Sequence, residues 1–141
     1  MHRKVQCWIL SRSGRCLLLL TNKRRGEFWQ PVTGTVEDGE SFEQAALREA
    51  TEETGFLFRD SPVDLNFEFR FRSSRGAAVE QCYAFLVDGE PTPKLDPVEH
   101  QDAQWTEPTE AFTRIKYPSN AEGLRRALRI MFGSPTNSKA K

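Results

Sequence analysis

The chain has 141 residues, and its twenty Lys and Arg balance twenty Asp and Glu to a formal net charge of zero. At about 150 residues per domain this is one domain, large enough to bury roughly 68–70% of its unfolded surface. Hydrophobic residues at 38% and charged residues at 28% exclude a disordered chain, and the balanced charge excludes a surface that coats nucleic acid, so any basic face is local.

Val5 to Leu10 and Cys16 to Thr21 are apolar runs separated by Ser11-Arg12-Ser13-Gly14-Arg15, turn chemistry that predicts a hairpin. The run Cys16 to Leu20 is far too short to span a bilayer, and the N-terminus shows no small-residue cleavage site, so no signal peptide is expected. Glu27 to Gly34 reads as a short extended piece broken at Pro31. The first helix is predicted from Ser41, where Ser41 and Gln44 can form a capping box, to Gly55 as its C-cap. Leu65 to Arg72 alternates strictly, which predicts a half-buried strand with its phenylalanines inside. Val79 to Val87 is a second strand here, and Ala103 to Thr106 a short third one. A last helix is predicted from a Ser119–Glu122 box, with Leu124, Ala127, Leu128 and Met131 as its apolar stripe. The small polar residues 133–141 are expected to be a disordered tail, leaving one domain over 1–132. Cys7, Cys16 and Cys82 show no ligand spacing and read as buried free thiols, which implies a cytoplasmic location.

The first helix carries the most information. At 100° per residue, Glu49, Glu52 and Glu53 share a sector of about 100°. Ala46, Leu47 and Ala50 form the adjoining apolar face, so the carboxylates border the buried side. Like charges one turn apart repel, and divalent cations would neutralise them. Hard oxygen ligands with no Cys or His among them point to Mg²⁺ or Mn²⁺. Arg48 is placed to hold one carboxylate by a bidentate pair. Spacing alone is also met by a solvated acidic helix with surface ion pairs.

The segment Gly34 to Phe56 resembles the Nudix box, G-x5-E-x7-R-E-U-x-E-E-x-G-U, with U a bulky aliphatic residue. Gly34, Glu40, Arg48, Glu49, Glu52, Glu53 and Gly55 fill all seven fixed positions. Ala50 and Phe56 stand at the two U positions and are read as packing variants. The resemblance implies an α/β/α sandwich with a mixed central sheet. It also implies hydrolysis of a pyrophosphate linkage by water with bound Mg²⁺, or Mn²⁺, which stabilises phosphoryl charge and lowers the pKa of bound water. Carried over by position, Glu49, Glu52 and Glu53 form the metal cluster and Gly34 offers it a backbone carbonyl. Glu40 supports Arg48 and the loop. The general base stays open between Glu49, Glu52 and a downstream residue. A further carboxylate from outside the box is expected, with Glu99 first and Glu80 second.

Phe28-Trp29-Gln30-Pro31-Val32-Thr33-Gly34 resembles a stretch of bacterial dihydroneopterin triphosphate pyrophosphatases, as do Glu99-His100 with Trp105, and Ser119-Asn120. Glu99-His100-Gln101 followed by Trp105 also resembles dinucleoside polyphosphate hydrolases. The first resemblance implies a nucleoside or pterin triphosphate substrate. Trp29 would stack on its ring or else serve as a core residue, Gln30 would hydrogen-bond the ring, and Arg24 and Arg25 would contact its phosphates or form a solvated basic turn. The alternatives are a dinucleoside polyphosphate, an RNA 5′ end, or a non-catalytic ligand sensor on the same fold. The expected partner is a small nucleotide-like molecule, with no membrane and no nucleic acid beyond an RNA 5′ end. Oligomeric state is left open.

Overall fold

The two N-terminal apolar runs form the middle of the sheet in the computed structural model, which describes residues 1–133. β1 (His2–Ser11) and β2 (Cys16–Thr21) are antiparallel neighbours. Pro31 cannot donate to a ladder, and it splits the next extended piece into β3 (Trp29–Gln30), on β2, and β4 (Val32–Thr35), on β1. α1 (Phe42–Thr54) follows, and then β5 (Val63–Ser73) and β6 (Gly76–Val87) pair antiparallel. β6 lies parallel to β1 from His2–Ala78 to Ser11–Val87, a pairing that needs a long crossover. β7 (His100–Thr106) pairs with β2, α2 spans Pro108–Arg114, and α3 spans Pro118–Phe132. The result is one mixed seven-stranded sheet in the order β3-β2-β1-β6-β5, with β4 beside β1 and β7 beside β2.

Strand alternation divides the core in two. Cys7 and Ile9 of β1 face α1, where Ala45, Ala46 and Ala50 are fully buried with Tyr83 and Phe85. Trp8 and Leu10 face the other way, against Leu124 and Ala127 of α3. This is the expected α/β/α sandwich. The three cysteines are free and buried, also as expected. Among the described residues no helix is long and apolar enough to cross a membrane. The expected tail lies, beyond Gly133, outside the described residues.

Three elements differ from the sequence reading. α3 begins at Pro118 with Tyr117 as its N-cap and no side-chain cap bond, so the Ser119 box does not form. Proline at the first helical position presets the backbone angle and starts the helix earlier. α2, seven residues long, is too short to show a period. β5 alternates as expected, but only Leu65 is fully buried. Phe67, Phe69 and Phe71 are half-exposed because β5 is the sheet edge, and its register slips between Asp64 and Glu68 where Asn66 takes φ 54°.

Candidate active site

Local chemistry sets α1 in place. Ser41 Oγ accepts from the Gln44 N–H at 3.0 Å and Gln44 Oε1 accepts from the Ser41 N–H at 2.9 Å. Gly55 closes the helix at φ 76°, a left-handed cap that a side chain would strain. The three buried alanines let the helix lie close to β1, near enough for the Cys7 thiol to approach the Ala46 carbonyl at 3.6 Å. Ala50 and Phe56 are both buried, so the two departures from the box are core residues.

That close seat brings Glu49 against β4. A Cβ on Gly34 would stand 2.1 Å from Glu49 Cδ, so any side chain here would have to push the Glu49 carboxyl aside. Glu49 Oε2 accepts from the Thr35 N–H at 3.3 Å and from Arg48 Nη1 at 3.2 Å. Arg48 clasps both Glu40 oxygens, at 2.6 and 3.0 Å, and donates to the Thr35 carbonyl at 2.9 Å. Those bonds hold the Glu40 carboxyl down at about 2, while Arg48 is pushed further up. Glu40 thus sits as expected, bracing Arg48 and the loop. Glu52 points outward at 62% exposure, 3.3 Å from Arg48 Nη1.

Glu53 is the exception among the acids. Its side chain is 13% exposed, and Oε1 is buried with no hydrogen-bond partner among the described residues. Burial, then the charge of Glu49, pushes its carboxyl up to about 9. His100 Nδ1 lies 3.8 Å away, but burial, then Arg25, pushes that imidazole down to about 4. Both groups are therefore neutral near pH 7, and the contact is not an ion pair. The Gln30 amide reaches the other imidazole nitrogen at 3.3 Å.

A cleft of about 300 Å³ opens over these groups, lined by Gly34, Glu49, Glu52, Glu53, Glu99 and Asp96, with Lys4 and Arg25 at its side. Glu99 faces the helix cluster across it and pairs with Arg25. Glu80 does not line this cleft. It lies in a neighbouring one, beyond Lys4. Trp29 lines neither cleft; it packs in the α3-side core with the Arg114 guanidinium 5.5 Å over its ring. Gln30 reaches the second cleft, whereas Arg24 reaches neither. The sequence reading missed Lys4 and Asp96. For Lys4 the only signal was the polar pair Lys4 and Gln6 on one face of an otherwise apolar strand.

Among the described residues no three acids or imidazoles stand together as a ready ligand shell; Arg48 draws Glu49 and Glu52 away, and Arg25 draws Glu99. The donor set nonetheless fits a hard divalent cation. It consists of oxygens alone, and Glu53 Oε1 is buried without a partner, a place that a bound cation would fill.

A family model for the NUDIX domain matches residues 1–128. An octanoyltransferase of Myxococcus xanthus is 35% identical over 119 residues, which is 80% of this chain and 32% of that protein; the chain thus spans about a third of that relative's length. A dihydroneopterin triphosphate diphosphatase of Haemophilus influenzae is 26% identical over 140 residues, covering 90% of this chain and 87% of that one. The solved structure of the E. coli dihydroneopterin triphosphate pyrophosphohydrolase superposes with a TM-score of 0.78 at 24% identity, over 88% of this chain and 92% of that one. At that identity the likeness speaks for the fold.

Proposed function

The chain belongs to the Nudix family, and we propose that it is a magnesium-dependent pyrophosphohydrolase acting on a nucleoside or pterin triphosphate. The single observation that carries this reading is the buried, unpartnered Glu53 carboxyl oxygen, set in one cleft with Gly34, Glu49 and Glu99. A folded chain retains such a group at a stability cost of about 1–3 kcal/mol, which a bound cation would offset.

Glu49, Glu52, Glu53, Glu99 and the Gly34 carbonyl are the residues that would hold Mg²⁺, or Mn²⁺. Bound there, the metal supplies charge stabilisation for the phosphoryl oxygens and acidifies water. Arg48 positions Glu49 while its bonds to Glu40 and the Thr35 carbonyl keep its own fork fixed. Lys4 and Arg25 bring positive charge to the side of the cleft, where a polyphosphate chain needs it. Glu52 is the most exposed of the three helix acids, so it is the carboxylate open to the attacking water and suited to accept its proton. The three buried free cysteines support a reducing, cytoplasmic setting.

A substrate panel with Mg²⁺ tests the reading: nucleoside triphosphates, dihydroneopterin triphosphate, a dinucleoside tetraphosphate and a 5′-triphosphate RNA. Cleavage between the α and β phosphates, giving a monophosphate and pyrophosphate from a triphosphate, is the expected result. Faster cleavage of the dinucleoside substrate or the RNA end would overturn the substrate class. Binding without turnover of any of them would overturn the enzyme.

A further inference from the structure

β5 ends the sheet. It is the last strand in the order β3-β2-β1-β6-β5, and among the described residues its only strand partner is β6. Backbone N–H and C=O groups directed outward along such an edge can be satisfied by another strand. One part of the edge is closed: Arg126 Nη1 donates to the Asn66 carbonyl at 2.7 Å, where the register slips. Residues 67–73 form the regular stretch beyond it.

The two faces of that stretch differ. Phe67, Phe69 and Phe71 stand half-buried in a row, with successive ring centroids 5.2 and 5.7 Å apart. Glu68, Arg70 and Arg72 stand exposed on the other face. The Glu68 and Arg70 side chains are 45% and 65% exposed and 3.7 Å apart, an exposed pair that leaves both charges open to further partners.

Opposite signs two residues apart make this strand complementary to itself. When two copies pair antiparallel about Phe69, that residue meets its counterpart, Phe67 meets Phe71, and Glu68 meets Arg70, each unlike pair occurring twice by symmetry. Other registers are worse. Centring on Glu68 or Arg70 sets like charge against like, and centring on Phe71 sets Arg70 against Arg72. Centring on Phe67 runs the ladder through the occupied Asn66 carbonyl. A slip of one residue sets phenylalanines against charges. We propose that the edge is occupied by a second copy of the chain, in an antiparallel β5–β5 dimer centred on Phe69 that joins the two sheets into one. A strand pair of this length lies at the small end of specific interfaces, so association belongs in the micromolar range. The inference stands apart from the activity proposed above, because β5 does not line the carboxylate cleft.

Sedimentation equilibrium of the full chain tests it, from about 1 to about 200 μM. Dimer should replace monomer across that range. Arg70→Glu sets Glu against Glu68 at both symmetric pairs and should weaken association at least about tenfold. Glu68→Arg should do the same. The double variant Glu68→Arg/Arg70→Glu restores unlike charges in the same register, so its dissociation constant should return to within about threefold of wild type. Both side chains are exposed, and circular dichroism checks that each variant is folded. Cross-linking reads the register: Phe69→Cys should form a disulfide-linked dimer under mild oxidation, since this residue meets itself on the axis. Arg72→Cys should not, because it would stand ~20 Å from its counterpart. The native cysteines are buried and stay out of this reaction. A monomer at every concentration, a dimer that Arg70→Glu leaves unchanged, or a double variant that stays dissociated overturns the proposal.

Discussion

Gly34→Ala isolates the closest contact in the carboxylate cleft. The added methyl would lie 2.1 Å from Glu49 Cδ and 2.3 Å from Oε2, where carbon contacts settle at about 3.5–4.0 Å. The Glu49 carboxyl must then retreat by more than about 1 Å. Its bonds to Arg48 at 3.2 Å and to the Thr35 N–H at 3.3 Å are already long and would break. Each charge-assisted bond is worth about 1.5–3 kcal/mol, and water recovers part of that for a side chain that is 15% exposed, leaving about 1–3 kcal/mol of lost stability. Displacing a reacting group by about 1 Å costs on the order of 100-fold in rate. Urea unfolding and Mg²⁺-supported turnover read the two effects separately. The double variant Gly34→Ala/Glu49→Ala removes those Glu49 contacts, so its stability should match that of Glu49→Ala alone, a large non-additivity between touching residues. Additive stability losses, or turnover of Gly34→Ala within about threefold of wild type, would refute the close-approach argument.

Three further outcomes follow from the same geometry. Because the folded protein keeps Glu53 protonated up to about 9 while the unfolded chain ionises it near its ordinary value, the folded state binds more protons in between. Metal-free stability should therefore fall as pH rises from about 5 to about 9. Glu53→Gln should flatten that slope in a pH series of denaturant titrations and lower turnover by orders of magnitude; a well-folded variant with normal turnover sinks the assignment. Glu99→Ala should reduce kcat more than it raises KM, and a steady-state profile showing only a KM effect would remove it from the reacting centre. Trp29→Ala empties part of the α3-side core beneath Arg114, so thermal unfolding should show a loss of about 2–4 kcal/mol. KM should stay within about threefold, and a raised KM at unchanged stability would return Trp29 to the ring site.

Sequence alone determined whatever is encoded within a few residues. Ser41 and Gln44 start α1 and Gly55 ends it because cap bonds and a left-handed angle are local matters. The helical period put Glu49, Glu52 and Glu53 on one border, and the alternation of β5 was legible in the same way. The seven fixed residues of the box then identified the family. Tertiary structure decided what depends on partners far along the chain. Glu52 and Glu53 are neighbours, yet one is 62% exposed and the other 13%, because only Glu53 turns toward His100 on a distant strand. Nothing local could show that Trp29 would be packed away while Phe69, Phe71 and Tyr117 became the aromatic walls of a cleft. The Gln6–Glu80 bond joins residues 74 positions apart, and the Asn120 oxygen is buried because α3, which carries it, docks against the sheet. Periods and caps follow from backbone angles, whereas desolvation and unpaired polar atoms follow from which surfaces the whole fold presses together.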